Sequence, residues 1–283
     1  MCVYSIKKLT LTAVVIVSNL VFSAHSQAEV LISDDFSTEG NVNFNRTPNI
    51  ATIDSRNYTK VSTGSSYSTA VSVGDPNYAM MQTNVGGAVS LADGGGFVKP
   101  EQLNISTVFH MNTLTNNSPA RTGRGVYLGF WSSLPSGSAD SMSNMYGVFV
   151  NPDSGRLLLW QGATSSTGNP AATLDYSGVW DASAWHTISF NVDISGSETG
   201  NVGDIYDFTL DGVEYDWGTT NLFTDANTAY AGFGVSASGV GQTGYFDEWS
   251  VSSIPEPMSS SMMMSVVAFC FVVGTSILRR NRR

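Results

Sequence analysis

The sequence predicts an all-β body, an antiparallel two-sheet sandwich, framed by an apolar segment at each end. Three observations carry this. Between Glu29 and Ser253 no stretch sustains a helical period of apolar residues; short alternating runs bounded by Gly, Asn, Asp, Ser and Pro recur instead. Asp211-Gly212 joins two runs of opposite facing, the signature of a tight hairpin. The interior has the size of one large sandwich and shows no internal repeat, which argues against a propeller or solenoid.

The runs at 105–111, 125–131, 146–150, 156–160, 186–194, 229–235 and 244–251 read as strands. Asn151-Pro152-Asp153-Ser154-Gly155 reads as the turn between the third and fourth of them. In the hairpin, Tyr206, Phe208 and Leu210 alternate with polar residues, as do Val213, Tyr215 and Trp217, so each strand is expected to bury one face. A two-residue loop then pairs Leu210 with Val213, Phe208 with Tyr215 and Asp207 with Asp216. Sheets with one apolar face stack in pairs.

Composition narrows the function classes. Hydrophobic residues are 42% and aromatic residues 11% of the chain, enough for a core and too many for a disordered polymer. Charged residues are only 13%, about half the usual share. Lys7, Lys8, Arg279, Arg280, Arg282 and Arg283 lie at the ends, so the interior carries seven basic against 23 acidic residues, hence −16. A body that acidic repels a phosphate backbone, and no nucleic-acid partner is expected. Cys2 and Cys270 fall in the terminal segments, which removes disulfides, thiolate zinc sites and cysteine nucleophiles from the body.

The ends read as addresses. Lys7 and Lys8 precede an apolar run over 9–22 and the small-x-small site Ser26-Gln27-Ala28, the pattern of a secretory signal peptide over 1–28 cut after Ala28, or after Ser26. At the other end Pro255-Glu256-Pro257 is followed by an apolar run over 262–278 and then Arg279-Arg280-Asn281-Arg282-Arg283. At 1.5 Å per residue that run spans about 25 Å, and Ser259 to Ser261 extend it toward the ~30 Å of a hydrocarbon core. The arginines would stay cytoplasmic and leave the body outside. The three-part tail over 254–283 resembles the PEP-CTERM sorting signal of Gram-negative bacteria that secrete exopolysaccharide. That resemblance implies an exosortase as partner, cutting near the tripeptide, together with signal peptidase and the secretion machinery.

The body's order of pieces resembles the concanavalin A-like, laminin-G-like jelly roll. The carrying residues are Asp34-Asp35-Phe36, Trp185-His186-Thr187-Ile188, Phe208-Thr209-Leu210-Asp211-Gly212 and the closing strand over 244–251. β-Glucanases and laminarinases on that fold place three acids at alternate positions, where a nucleophile and an acid stand about 5 Å apart. Here Glu214 and Asp216 match, but Gly218 and Thr219 stand where the third acid belongs, so glycoside hydrolysis is the alternative reading and no catalytic residue is assigned.

Asp207 opposite Asp216, with Glu214 beside them, admits two readings. One is a calcium ion held by the three carboxylates; the other is a solvated acidic face with splayed side chains. Asp34-Asp35 is expected to meet Asp247-Glu248, because the first and last strands of a jelly roll often pair. Trp131, Trp160, Trp217 and Trp249 read as core or core-edge, whereas Trp180, at a loop entry, is the tryptophan best placed to stack on a sugar. His110 and His186 have no triad partners and no zinc spacing, and read as structural. Gly94-Gly95-Gly96 precedes no helix and is a loop, not a phosphate cradle. The sequence thus points to an exported, non-enzymatic surface or matrix protein that holds polysaccharide or forms a coat.

Overall fold

The computed structural model describes residues 28–37, 48, 50–51, 57–62, 69–72, 78–82, 85–91, 99–111, 125–135, 142–151, 155–162, 170–176, 181, 184–194, 204–218, 222–223, 226–236 and 243–255. The chain divides into two compact units, Glu29–Ser253 and the two ends together. Of the ends, only Ala28, Ile254 and Pro255 are among the described residues, so the predicted signal peptide, the apolar run over 262–278 and the terminal arginines lie outside them. No helix among the described residues is long and apolar enough to cross a membrane.

Glu29–Ser253 is all-β, with two antiparallel sheets packed on a shared core. Its described strands are β1 (Val30–Asp34), β2 (Ile50–Ala51), β3 (Thr59–Ser62), β4 (Thr69–Ser72), β5 (Tyr78–Gln82), β6 (Val85–Ser90), β7 (Gln102–Met111) and β8 (Gly125–Trp131). There follow β9 (Met145–Asn151), β10 (Arg156–Gln161), β11 (Ala172–Asp175), β12 (His186–Asp193), β13 (Ile205–Leu210), β14 (Val213–Tyr215), β15 (Tyr230–Ser236) and β16 (Thr243–Ser253). A seven-stranded sheet runs β11-β10-β9-β8-β15-β6-β3. The nine-stranded sheet runs β14-β13-β12-β7-β16, after which the outer edge of β16 is shared: β5 pairs its first half and β1 its second. The expected meeting of first and last strands is therefore present, with Asp34 opposite Trp249.

Alternation explains the long strands. In β7 every second residue from Leu103 to Met111 is buried, and its partner β12 buries His186, Ile188, Phe190 and Val192. These meet Val126, Leu128 and Phe130 of β8 and Ala231, Phe233 and Val235 of β15 from the other sheet. Phe233 is a hub, with ring centroids 4.9 Å from Phe246, 5.2 Å from Trp249, 5.9 Å from Phe36 and 6.2 Å from Tyr58. The four tryptophans assigned to the core are there: Trp131, Trp160 and Trp249 are buried, and Trp217 is 9% exposed.

The hairpin follows its expected register in part. Leu210 faces Val213 and Phe208 faces Tyr215, and Asp211 and Gly212 take φ of 53° and 75°, as a two-residue turn of this hand requires. The ladder ends there. An extra residue in β13, at Asp207 with φ 48°, shifts its register against β12. The bulge turns Tyr206 to the outer face, where its hydroxyl donates to Gln102 Oε1, and leaves Ile205, Phe208 and Leu210 as the buried set. Val213, placed by its alternation on the face expected to be buried, is 49% exposed.

The Phe233 hub yields a direct test. Phe233→Ala is expected to lower the unfolding free energy by about 3–5 kcal/mol, read as a shift of the urea midpoint at unchanged slope. A loss below about 1 kcal/mol would mean that the four neighbouring rings close over the vacated volume.

Candidate ligand-binding face

The two sheets differ on the faces they turn away from the shared core. On the seven-stranded sheet that face is apolar and covered: Tyr127, Trp131, Met145, Phe149, Leu158 and Trp160 form a second buried cluster with Val61, Ala88 and Met142. Its register explains the glycines. Gly147, Gly129 and Gly232 lie side by side across β9, β8 and β15, and Tyr127 lies against Gly86, where a Cβ would collide with its hydroxyl. Large rings fit because the positions between them carry none.

The outer face of the nine-stranded sheet is open and polar. Alternate residues of β7 lie on it, partly exposed, and form rows with their strand neighbours. Gln102 Nε2 donates to Asp193 Oδ2 at 3.4 Å. Asn104 Nδ2 donates to Asn191 Oδ1 at 2.7 Å and to Ser189 Oγ at 3.1 Å, and Asn191 Nδ2 donates to Asp207 Oδ2 at 2.9 Å. Ser106 and Ser250 share a hydroxyl contact of 2.8 Å.

At the far end of these rows the chemistry turns aromatic. His110 of β7, Tyr245 of β16, Tyr78 of β5 and Trp185, just ahead of β12, form a closed four-ring cluster. Successive centroids are 5.6 Å (Trp185–His110), 5.6 Å (His110–Tyr245), 5.0 Å (Tyr245–Tyr78) and 6.4 Å (Tyr78–Trp185). Trp185 is 38% exposed, while the other three are partly buried beneath and beside it.

Trp185 is held there by its neighbour. His186 is buried; its Nδ1 lies 2.7 Å from Asp211 Oδ2 and its Nε2 2.9 Å from the carbonyl oxygen of Asp181. Thr187 N–H donates to Asp211 Oδ1 and Asp211 N–H to Thr187 O. Asp211 therefore does two jobs, turning the hairpin and fastening the start of β12. His186 is structural, as expected; His110 is part of the aromatic cluster.

Asp247 borders the cluster, two residues along β16 from Tyr245 on the same face and opposite Val108. Burial pushes its pKa up, against the pull of the Glu248 N–H that donates to Oδ1 at 2.7 Å; the charges of Glu248, Asp35 and Asp34 push it further up. Asp34 itself is fully buried and accepts from Tyr58 Oη and Phe36 N–H, each at 2.9 Å.

The other predicted site residues fare differently. Asp207, Glu214 and Asp216 do not gather. The bulge turns Asp207 to Asn191, Glu214 faces Thr209 on the exposed edge strand β14, and Asp216 lies past its end, accepting from Gly218 N–H at 2.7 Å. Among the described residues no group of three or more His, Cys, Asp or Glu side chains is placed to hold a metal ion, so the three-carboxylate calcium arrangement is not formed. With Asp216 outside the strand, the alternating carboxylates of a β-glucanase are not formed either. Trp180, Glu256, Pro257 and the arginines at 279, 280, 282 and 283 lie outside the described residues, and Pro255 follows the last strand.

No family model matches the chain, and no curated protein matches it. Among solved structures it is similar to a carbohydrate esterase of the Shiga toxin-encoding bacteriophage phi24B, at 13% identity and TM-score 0.46, covering 80% of this chain and 99% of that one. It is also similar to the potassium-bound carbohydrate recognition domain of Emp46p, at 10% identity and TM-score 0.43, covering 69% and 87%. A third is arcelin-5, a lectin-like defense protein of Phaseolus vulgaris, at 14% identity and TM-score 0.42, covering 77% and 99%. The functional reading rests on the side chains of the open face.

The Asp247 shift fixes a pH dependence. A carboxyl whose pKa is raised by folding binds its proton more tightly in the folded state, so stability falls as pH rises from the unfolded value through the folded one. Asp247→Asn, which keeps an oxygen acceptor for Glu248 N–H, is therefore expected to raise Tm at pH 7, with the gain shrinking toward the carboxyl range. A gain that grows on acidification would contradict this sign.

Proposed function

We propose that this chain is an exported, non-enzymatic glycan-binding protein of the concanavalin A-like, laminin-G-like class, acting at the cell surface or in an extracellular matrix. The observation that carries the binding reading is the Trp185–His110–Tyr245–Tyr78 cluster at the end of rows of amide and hydroxyl groups on an open sheet face. A pyranose ring offers an apolar face for stacking and a rim of hydroxyls for hydrogen bonding. The sheet offers both within one face, on a rigid scaffold. The placement of Glu214 and Asp216 on and beyond an exposed edge strand supports binding over hydrolysis.

Export and processing are read from the two ends. The signal pattern over 1–28 and the Pro255-Glu256-Pro257, apolar and arginine-rich parts over 254–283 support secretion followed by exosortase handling. Glu29 and Ser253 bond to each other through main chain and Ser253 Oγ, so the ladder of the sandwich stops where these segments are expected to begin.

Two measurements test this. Trp185→Ala is expected to weaken retention on the host's exopolysaccharide about tenfold, the scale of one lost aromatic stacking contact. Loss of its contacts with Tyr78 and His110 is expected to cost about 1–3 kcal/mol of stability, so retention is read well below the Tm of the variant. Retention unchanged by the substitution would remove this face from the reading. Intact mass of the protein recovered outside the cell should correspond to a start at Glu29 or Gln27 and an end near Pro255; a full-length mass would overturn the processing scheme.

A further inference from the structure

Among the described residues the open face is one-sided in charge. None of the nine strands of its sheet contains a lysine or arginine, whereas Asp193, Asp207, Glu214, Asp247 and Glu248 lie on them. The described basic residues of the body belong elsewhere. Lys99 donates to Thr228 O and Oγ1, Arg156 lies 3.5 Å from Asp175 on the other sheet, and Lys60 is in β3 of that sheet. Arg46, Arg56, Arg121 and Arg124 are outside the described residues.

Charge of one sign constrains the ligand. A polymer of uronic acids would bring like charge to a face that offers it no cationic strand residue, at a cost that low local dielectric enlarges. An ammonium group meets the opposite situation. Electron-rich ring faces attract it, and Tyr245, Tyr78 and Trp185 provide three of them, Tyr78 in contact with both of the others. Asp247 stands two residues from Tyr245 on the same face, about 7 Å along the strand at 3.3–3.4 Å per residue, close enough for a sugar ring on the cluster to carry an amine toward its carboxylate.

We propose that the ligand is a glycan bearing free amines, a polymer containing de-N-acetylated amino sugars, whose rings pack on Trp185 and Tyr245 while an ammonium group sits between the aromatic cluster and Asp247. This rests on the glycan-binding reading above and adds the ligand's chemical class to it. The raised pKa of Asp247 fits the assignment, because a carboxylate crowded by burial and by Glu248 gains most from an arriving cation.

The test is calorimetric titration of the exported protein with glucosamine hexasaccharide and with N-acetylglucosamine hexasaccharide, at a pH where the amines are protonated and at two salt concentrations. The amine form is expected to bind about five- to tenfold more tightly, the sum of one exposed cation–π contact and one partly screened ion pair. The preference should narrow at high salt and in Asp247→Asn, whose folding is checked by its Tm. Equal affinity for the two oligosaccharides, both lost in Trp185→Ala, would overturn the amine assignment and leave the glycan site standing. If neither oligosaccharide binds while the host's exopolysaccharide does, the amine assignment again falls alone. If nothing binds, both readings fall together.

Discussion

The arrangement depends on one extra residue in β16. From Gly244 to Asp247 this strand pairs with β7 in one register, and from Ser250 to Ser253 in another, with Glu248 at φ 47° taking up the difference. Side chains alternate along a strand, so a one-residue slip exchanges the two faces. Without the bulge, a strand that buries Phe246 would turn Trp249 and Val251 to solvent. With it, Phe246, Trp249 and Val251 all reach the core while Tyr245 and Asp247 keep the outer face. The same strand can then divide its free edge between β5, which brings Tyr78, and β1, which brings Asp34. Core, cluster and acidic border all follow from that local geometry.

A second bulge repeats the device at Asp207 in β13. In both places the residue with positive φ is acidic and exposed, and the strand beyond it changes facing. Bulges at the margins of a face re-aim side chains, and here they fall at Asp207, which accepts from Asn191 of the polar rows, and at Glu248, next to Asp247. The other sheet uses glycine instead. Its outward positions alternate rings with Gly129, Gly147 and Gly232, so that it is buried on both sides.

The strands whose residues alternate cleanly, β7 and β12 above all, were legible, and so was the Asp211-Gly212 turn, because each depends on neighbours in sequence. β6 was not among the expected strands: Val85-Gly86-Gly87-Ala88 lacks alternating apolar residues, and its place is set by Tyr127, 41 residues away, lying on Gly86. The pairing of Asp207 with Asp216 failed for a similar reason, since nothing in the local pattern distinguishes a bulged acid from a paired one. The aromatic cluster was the least visible part. Tyr78, His110, Trp185 and Tyr245 come from distant stretches, and only the non-local ladders β7–β16, β7–β12 and β5–β16 bring them together. Trp180 and Trp185 stand on either side of the same four residues in the sequence. What singles out Trp185 is the bond of the next residue to Asp211, a turn acid whose second role no spacing announces.

Glu29 and Ser253 close the sheet as reciprocal partners, so the chain enters and leaves the body at one pole. Tyr245 lies eight residues back along β16 from Ser253, roughly 26 Å at the rise of an extended strand, at the opposite pole. A single strand thus carries both jobs at a distance from each other: one end of it ties the borders of the body together, and the other presents an aromatic ring, so a change at the rings leaves the closing bonds untouched.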